Sequence, residues 1–328
     1  MSGIWTRRSF LGALAMTAGA QETPVFSSDV KVVSVLASVR TKDGDIVSNL
    51  TQDDFLLSED NHPQKIRYFS RETNLPLILG LLVDTSGSQI NVLDEEETAS
   101  YHFLDRVLRE GTDRTFLAHF DFDTELLQDL TSSKEVLRRG LRNMHPSRGG
   151  WGHRGGGTTL YDAVYLAANE VLRKQQGRKA IVILTDGVDH GSLVGLNEAI
   201  EHAQRADTII YSIMFEGQES GGNGGGLFGP FGLPPVNNGY KVLQKMARET
   251  GGGFFEVSRR MTIDHIYRRI EEELRNQYSL GYTPERPLAD ARYRAISLKT
   301  RRRGLVIQAR KGYYPDVRTS QSARASSQ

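Results

Sequence analysis

An aspartate and two hydroxyl side chains fall at two-residue spacing in Asp84-Thr85-Ser86-Gly87-Ser88, directly after the apolar run Leu77 to Val83. On a tight turn at a strand end, those three oxygen donors can converge on one point. Oxygen-only donor sets suit hard cations, and Mg²⁺ retains several waters in near-octahedral geometry. Serine hydroxyls are neutral ligands, so a cation held there keeps much of its charge and favours an acidic group from a partner. The same turn could merely cap the following helix, since Asp and Ser are favoured there. That simpler reading leaves a second strand-end acid unexplained, Asp186 in Ile183-Leu184-Thr185-Asp186-Gly187.

The remaining chemistry-bearing patterns point away from other functions. The chain has no cysteine, which excludes disulfides, thiolate zinc sites and cysteine nucleophiles. Its 41 basic and 40 acidic residues leave a net charge of +1, with no footprint for nucleic acid. The eight histidines include no H-x-x-x-H pair, and G-x-S-x-G is absent. Gly224-x-Gly226-x-x-Gly229 matches a dinucleotide fingerprint in form only, because Pro230 follows and no helix opens there.

The elements that must position Asp84 and Asp186 are legible in the hydrophobic pattern. Leu77 to Val83 and Lys179 to Thr185 read as strands buried on both faces, with further strands at Thr115–Phe122, Thr208–Phe215 and Gly253–Val257. Helical periodicity runs through Ala99, Phe103, Val107 and Leu108, and helices are expected at Lys134–Met144, Leu160–Arg173, Leu196–Ala206, Tyr240–Thr250 and Ile263–Asn276. This alternation predicts an α/β fold, a doubly wound parallel sheet with helices on both faces and a site at the carboxyl ends of its strands. Both aspartates sit there. Residues 21–73 and 277–315 switch to period-two patterning and predict a small β-rich unit made from both flanks of the 75–276 domain. Residues 316–328 read as a disordered tail.

Asp84-x-Ser86-x-Ser88 resembles the D-x-S-x-S motif of von Willebrand factor A (VWA) domains. The likeness continues in order through Gly156-Gly157-Thr158, which opens a helix, and Thr185-Asp186-Gly187 at a later strand end. The resemblance implies a metal-ion-dependent adhesion site. Ser86, Ser88 and Thr158 would be hydroxyl ligands, and Asp84 and Asp186 would act directly or through water. The implied cofactor is Mg²⁺, with Mn²⁺ or Ca²⁺ as alternatives, and the implied partner is a protein supplying an acidic residue. Val47 to Phe55, Tyr278-Ser279-Leu280-Gly281-Tyr282 and Arg310-Lys311-Gly312-Tyr313-Tyr314 are similar to the VWFA-related proteins best known from acidobacterial genomes.

Thr6-Arg7-Arg8-Ser9-Phe10-Leu11, the apolar stretch to Ala18 and Ala18-Gly19-Ala20 read as a signal peptide over residues 1–20, twin-arginine in form. The expectation is therefore an exported, non-enzymatic binding protein of the periplasm or cell exterior. It would bind no nucleic acid and would not insert stably into the membrane. Two other readings stand beside it. One is a Mg²⁺-dependent phosphoryl-transfer enzyme with Asp84 as nucleophile; the other is a structural envelope protein whose metal only stabilises it. The glycine-rich stretches 147–157 and 217–239, with aromatic residues among the glycines, are expected on the metal face.

Overall fold

The apolar run before Asp84 is buried along its whole length, as a strand covered on both faces must be. The computed structural model describes residues 32–72, 75–89, 92–145, 157–215, 238–286 and 291–315. The expected signal segment, the tail, and the two glycine-rich stretches apart from their last one or two residues lie outside these. In chain order the flank opens with β1 (Val33–Thr41), β2 (Phe55–Glu59), β3 (His62–Gln64) and β4 (Ile66–Glu72). The central domain follows with β5 (Leu77–Asp84), α1 (Leu93–Val107), β6 (Arg114–Phe120), β7 (Thr124–Thr131), α2 (Lys134–Arg142) and α3 (Leu160–Leu166). It continues with β8 (Arg178–Thr185), α4 (Leu196–Arg205), β9 (Thr208–Met214), α5 (Asn238–Thr250), β10 (Phe254–Glu256) and α6 (Ile263–Arg275). The second flank holds β11 (Gln277–Tyr282), β12 (Arg294–Thr300), β13 (Leu305–Ala309) and β14 (Gly312–Tyr313).

The central sheet has the order β10-β9-β8-β5-β6-β7, with β5 and β8 in the middle. Five strands are parallel, and β7 joins antiparallel at the edge. Leu79, Leu81 and Val83 of β5 pack toward α1, α2 and α6, whereas Ile78 and Leu82 pack toward α3, α4 and α5. Each face of the strand thus has its own helical layer, the doubly wound arrangement expected. Gly80 admits no side chain, because the Phe116 ring lies 2.4 Å from where its Cβ would stand. The expected helix Leu160 to Arg173 is present but changes its winding. After α3 it widens over Ala167–Val171 and tightens over Leu172–Lys174.

The flanks interleave in two four-stranded antiparallel sheets, ordered β13-β1-β11-β4 and β14-β12-β2-β3. Each sheet contains strands from both ends of the chain, with Val35 opposite Leu280 and Leu57 opposite Leu298. Their apolar faces share one core that includes Val35, Phe55, Tyr278 and Tyr282. Glu59 is buried there, accepting hydrogen bonds from the hydroxyls of Tyr282 (2.6 Å) and Tyr313 (2.9 Å) and from Arg294 (3.0 Å). A buried carboxylate is tolerated only with such partners.

Two buried acids tie these parts together. Glu273 of α6 accepts from Arg40 Nε at 2.8 Å and from Gln308 at 3.0 Å, joining α6 to β1 and β13. Asp113 accepts from the backbone N–H groups of Leu77 and Arg109, both at 2.9 Å, and from the Arg275 guanidinium at 2.6 Å. Burial opposes ionisation of Asp113, but the Arg109 and Arg275 guanidiniums and these N–H groups hold its carboxyl down at about 2. This anion fixes the start of β5, the strand whose other end carries Asp84. Among the described residues, no helix is long and apolar enough to cross a membrane.

Candidate metal centre

Strand β5 ends at Asp84 because the chain turns sharply through Thr85 and Ser86. The Asp84 carboxylate makes that turn: Oδ1 accepts from Ser86 N–H at 2.9 Å, and Oδ2 accepts from the Thr185 hydroxyl at 2.5 Å. Asp84 is fully buried, Ser86 nearly so, and Ser88 is exposed. The hydroxyls of Ser86 and Ser88 stand 3.1 Å apart, so the three donors of the D-x-S-x-S segment converge as their spacing requires. Thr185 ends β8, and Asp186 follows it with Oδ1 accepting from Val188 N–H at 3.0 Å. Gly187 adopts φ +79°, a left-handed conformation that turns the chain away from the strand end.

Thr158 reaches the same end of the sheet by another route. Its backbone bridges His190 in both directions, donating at 3.2 Å and accepting at 2.8 Å. The next residue, Thr159, donates its N–H to the Asp121 carbonyl at 2.8 Å, and the Asp121 carboxylate accepts from the Thr85 hydroxyl at 3.4 Å. Thr85 in turn lies 3.0 Å from His119 Nδ1, whose other ring nitrogen lies 3.3 Å from Glu125. The middle residue of the turn is therefore pinned from β6 and β7. No hydrogen bond joins the Thr158 side chain to the Asp84 turn, so its place rests on this backbone network. Asp189, next to His190, accepts from Tyr161 N–H at 3.1 Å and from the Ser192 hydroxyl at 2.6 Å, which fixes the opening of α3.

The electrostatics of the site are those of stored negative charge. Burial pushes the Asp84 carboxyl up to about 6; hydrogen bonds from Ser86 and Thr185 oppose the rise, and the Asp186 charge adds to it. Sequence reasoning did not find Glu96, which is fully buried on α1 with neither carboxyl oxygen hydrogen-bonded. Burial first, then the Asp84 and Glu95 charges, push Glu96 well above the usual carboxylate range. Its signal was present: Glu96 continues the buried stripe of Ala99, Ser100, Phe103 and Val107, where an acid is out of place. Gln89 Oε1 is likewise buried without a partner.

A buried carboxylate whose proton affinity is raised by burial and by the Asp186 charge, beside neutral hydroxyls and with no nitrogen or sulfur donor, fits a hard divalent cation. Among the described residues no group of three or more His, Asp or Glu side chains is placed to hold a metal. A cation here would depend on the hydroxyls.

Residues 79–188 match the von Willebrand factor type A domain, so the chain contains a domain of that family. Among solved structures, BatB from Bacteroides thetaiotaomicron is similar at 17% identity and a TM-score of 0.47, over 60% of this chain and 97% of that one. A von Willebrand factor type A protein from Catenulispora acidiphila is similar at 11% identity and a TM-score of 0.48, over 87% of this chain and 74% of that one. The proximal thread matrix protein 1 of the mussel byssus, with zinc in its metal-ion-dependent adhesion motif, is similar at 15% identity and a TM-score of 0.47. The match covers 67% of this chain and 50% of that one. None of the curated proteins compared matches this chain.

Proposed function

We propose that this protein is an exported, cation-dependent protein-binding module. Asp84, Ser86, Ser88, Thr158 and Asp186 hold one Mg²⁺ or Mn²⁺ ion at the carboxyl ends of β5 and β8. The single observation that carries this is the convergence of the Ser86 and Ser88 hydroxyls on a turn made by a buried Asp84 charge-coupled to Asp186. Asp84 and Asp186 would supply charge to a divalent ion and the hydroxyls neutral ligation, and Ser88, the exposed member of the D-x-S-x-S segment, marks the side from which a partner's carboxylate would reach it. The VWA domain at residues 79–188 supports this reading, and the Arg7-Arg8 segment supports export.

The phosphoryl-transfer reading is disfavoured by the residues themselves: a nucleophilic Asp84 wants a second acid two positions on, and Ser86 stands there. The test is capture from cell-envelope extract on immobilised protein. A partner should be retained in Mg²⁺, released by EDTA, and absent with Ser86→Ala. Retention that is equal in Mg²⁺ and EDTA contradicts metal-mediated binding.

A further inference from the structure

At the opposite end of the same strands, a cavity of about 520 Å³ opens where the starts of β5, β8 and β9 meet β1 and β11 of the flank sheets. Its volume falls in the ~300–1,000 Å³ range of small-molecule sites. Leu36, Leu75, Pro76 and Ile209 give it an apolar wall, and Arg178, Lys179 and Arg310 outnumber the one carboxylate, Asp207. A packing gap at a seam of two β layers needs no such excess of cations. Empty cavities in proteins are apolar, and polar ones hold something that bonds to their walls.

The three cations differ in what they already do. Arg178 is committed to the carbonyls of Leu274 and Leu75. Arg310 pairs with Asp207 at 2.6 Å and with the Ser34 carbonyl at 2.5 Å, but its Nε is buried with no partner. Lys179 has three N–H donors, and among the described residues its ammonium makes one hydrogen bond, a long 3.4 Å contact to the Gln175 carbonyl. Burial pushes the Lys179 ammonium down from its usual range, partly offset by the Asp207 charge. Lys179 stands at the start of β8 and Asp186 just past its end, about 23 Å apart at the rise of an extended chain. The cavity and the metal centre are therefore separate sites.

We propose that this cavity binds an amphipathic organic anion, its acidic head on Lys179 and its apolar body on Leu36, Leu75, Pro76 and Ile209. The test uses octanoate as probe, titrated calorimetrically into the protein with octylamine as the cationic control. Octanoate should bind at one site and octylamine should not. Lys179→Met, which keeps the aliphatic stem but removes the charge, should weaken octanoate roughly ten- to hundredfold, the usual worth of a charge-assisted hydrogen bond. Lys179→Arg should restore affinity to within a few-fold. No octanoate heat in the wild type, equal binding of octylamine, or unchanged affinity in Lys179→Met would each overturn the assignment. Should Lys179→Met fail to fold, the octanoate–octylamine comparison and Lys179→Arg still decide it.

Discussion

In EDTA at pH 7.5, Asp84→Asn should be more stable than the wild type by about 3 kcal/mol. The folded protein holds the Asp84 carboxyl at about 6, against 3.8 for a solvated aspartate. Each unit of that difference corresponds to ~1.4 kcal/mol. Because the folded value is raised, the native state binds the proton more tightly than the unfolded chain does. The contribution of Asp84 to the metal-free fold is therefore fully present below pH 4 and is lost as pH rises through 6. Asparagine carries no charge to desolvate, and its amide can still accept from Ser86 N–H. Adding Mg²⁺ should close most of that gap. At a hundredfold excess over Kd, a ligand bound only by the native state stabilises it by ~2.7 kcal/mol, which the wild type should gain and the variant should not. Urea unfolding in EDTA and in Mg²⁺ measures both effects. A variant less stable than the wild type in EDTA, or equally stabilised by Mg²⁺, would show that Asp84 is an ordinary structural carboxylate.

Glu273→Ala should cost roughly 3–5 kcal/mol, because it strands a buried cation rather than because the ion pair is itself strong. Arg40 is 9% exposed in its side chain and Glu273 2%, with Nε and Oε1 2.8 Å apart. Removing the carboxylate also leaves Gln308 without its acceptor. Arg40 would keep the carbonyls of Gly44 and Arg269 and a 4.0 Å contact with the exposed Glu272 carboxylate. Replacing both members, as Arg40→Met with Glu273→Met, removes the desolvated charges together and should cost far less than the single change. Chemical denaturation of the three proteins checks the ordering. If the double variant is as unstable as Glu273→Ala, the pair contributes a net attraction that exceeds its desolvation.

The central sheet was legible because Leu77 to Val83 and Lys179 to Thr185 are almost wholly apolar, which only a doubly covered strand requires. Strand β7 escaped detection for the opposite reason. It is an edge strand, and Thr124-Glu125-Leu126-Leu127-Gln128-Asp129-Leu130-Thr131 has neither alternation nor an apolar run. That the two flanks form one β-rich unit was legible in their period-two patterning, but the register was not: nothing local says that Val35 lies opposite Leu280. At the candidate site, the ligand spacing of Asp84, Ser86 and Ser88 is local and readable. The positions of His119 and Asp121 against Thr85 arise only when β5 and β6 pair, and no motif carries them. Glu96 marks the limit most clearly. Its helical position is core-facing, yet its nearness to Asp84 depends on how α1 lies across the sheet.

The most direct test is calorimetric titration of Mg²⁺ into EDTA-stripped protein, wild type beside Asp84→Ala, with circular dichroism on both. One Mg²⁺ should bind the wild type with modest affinity, and Asp84→Ala should give no binding heat while its helical signal stays intact. Mg²⁺ heat that persists unchanged in a folded Asp84→Ala would contradict the assignment of the metal to this site.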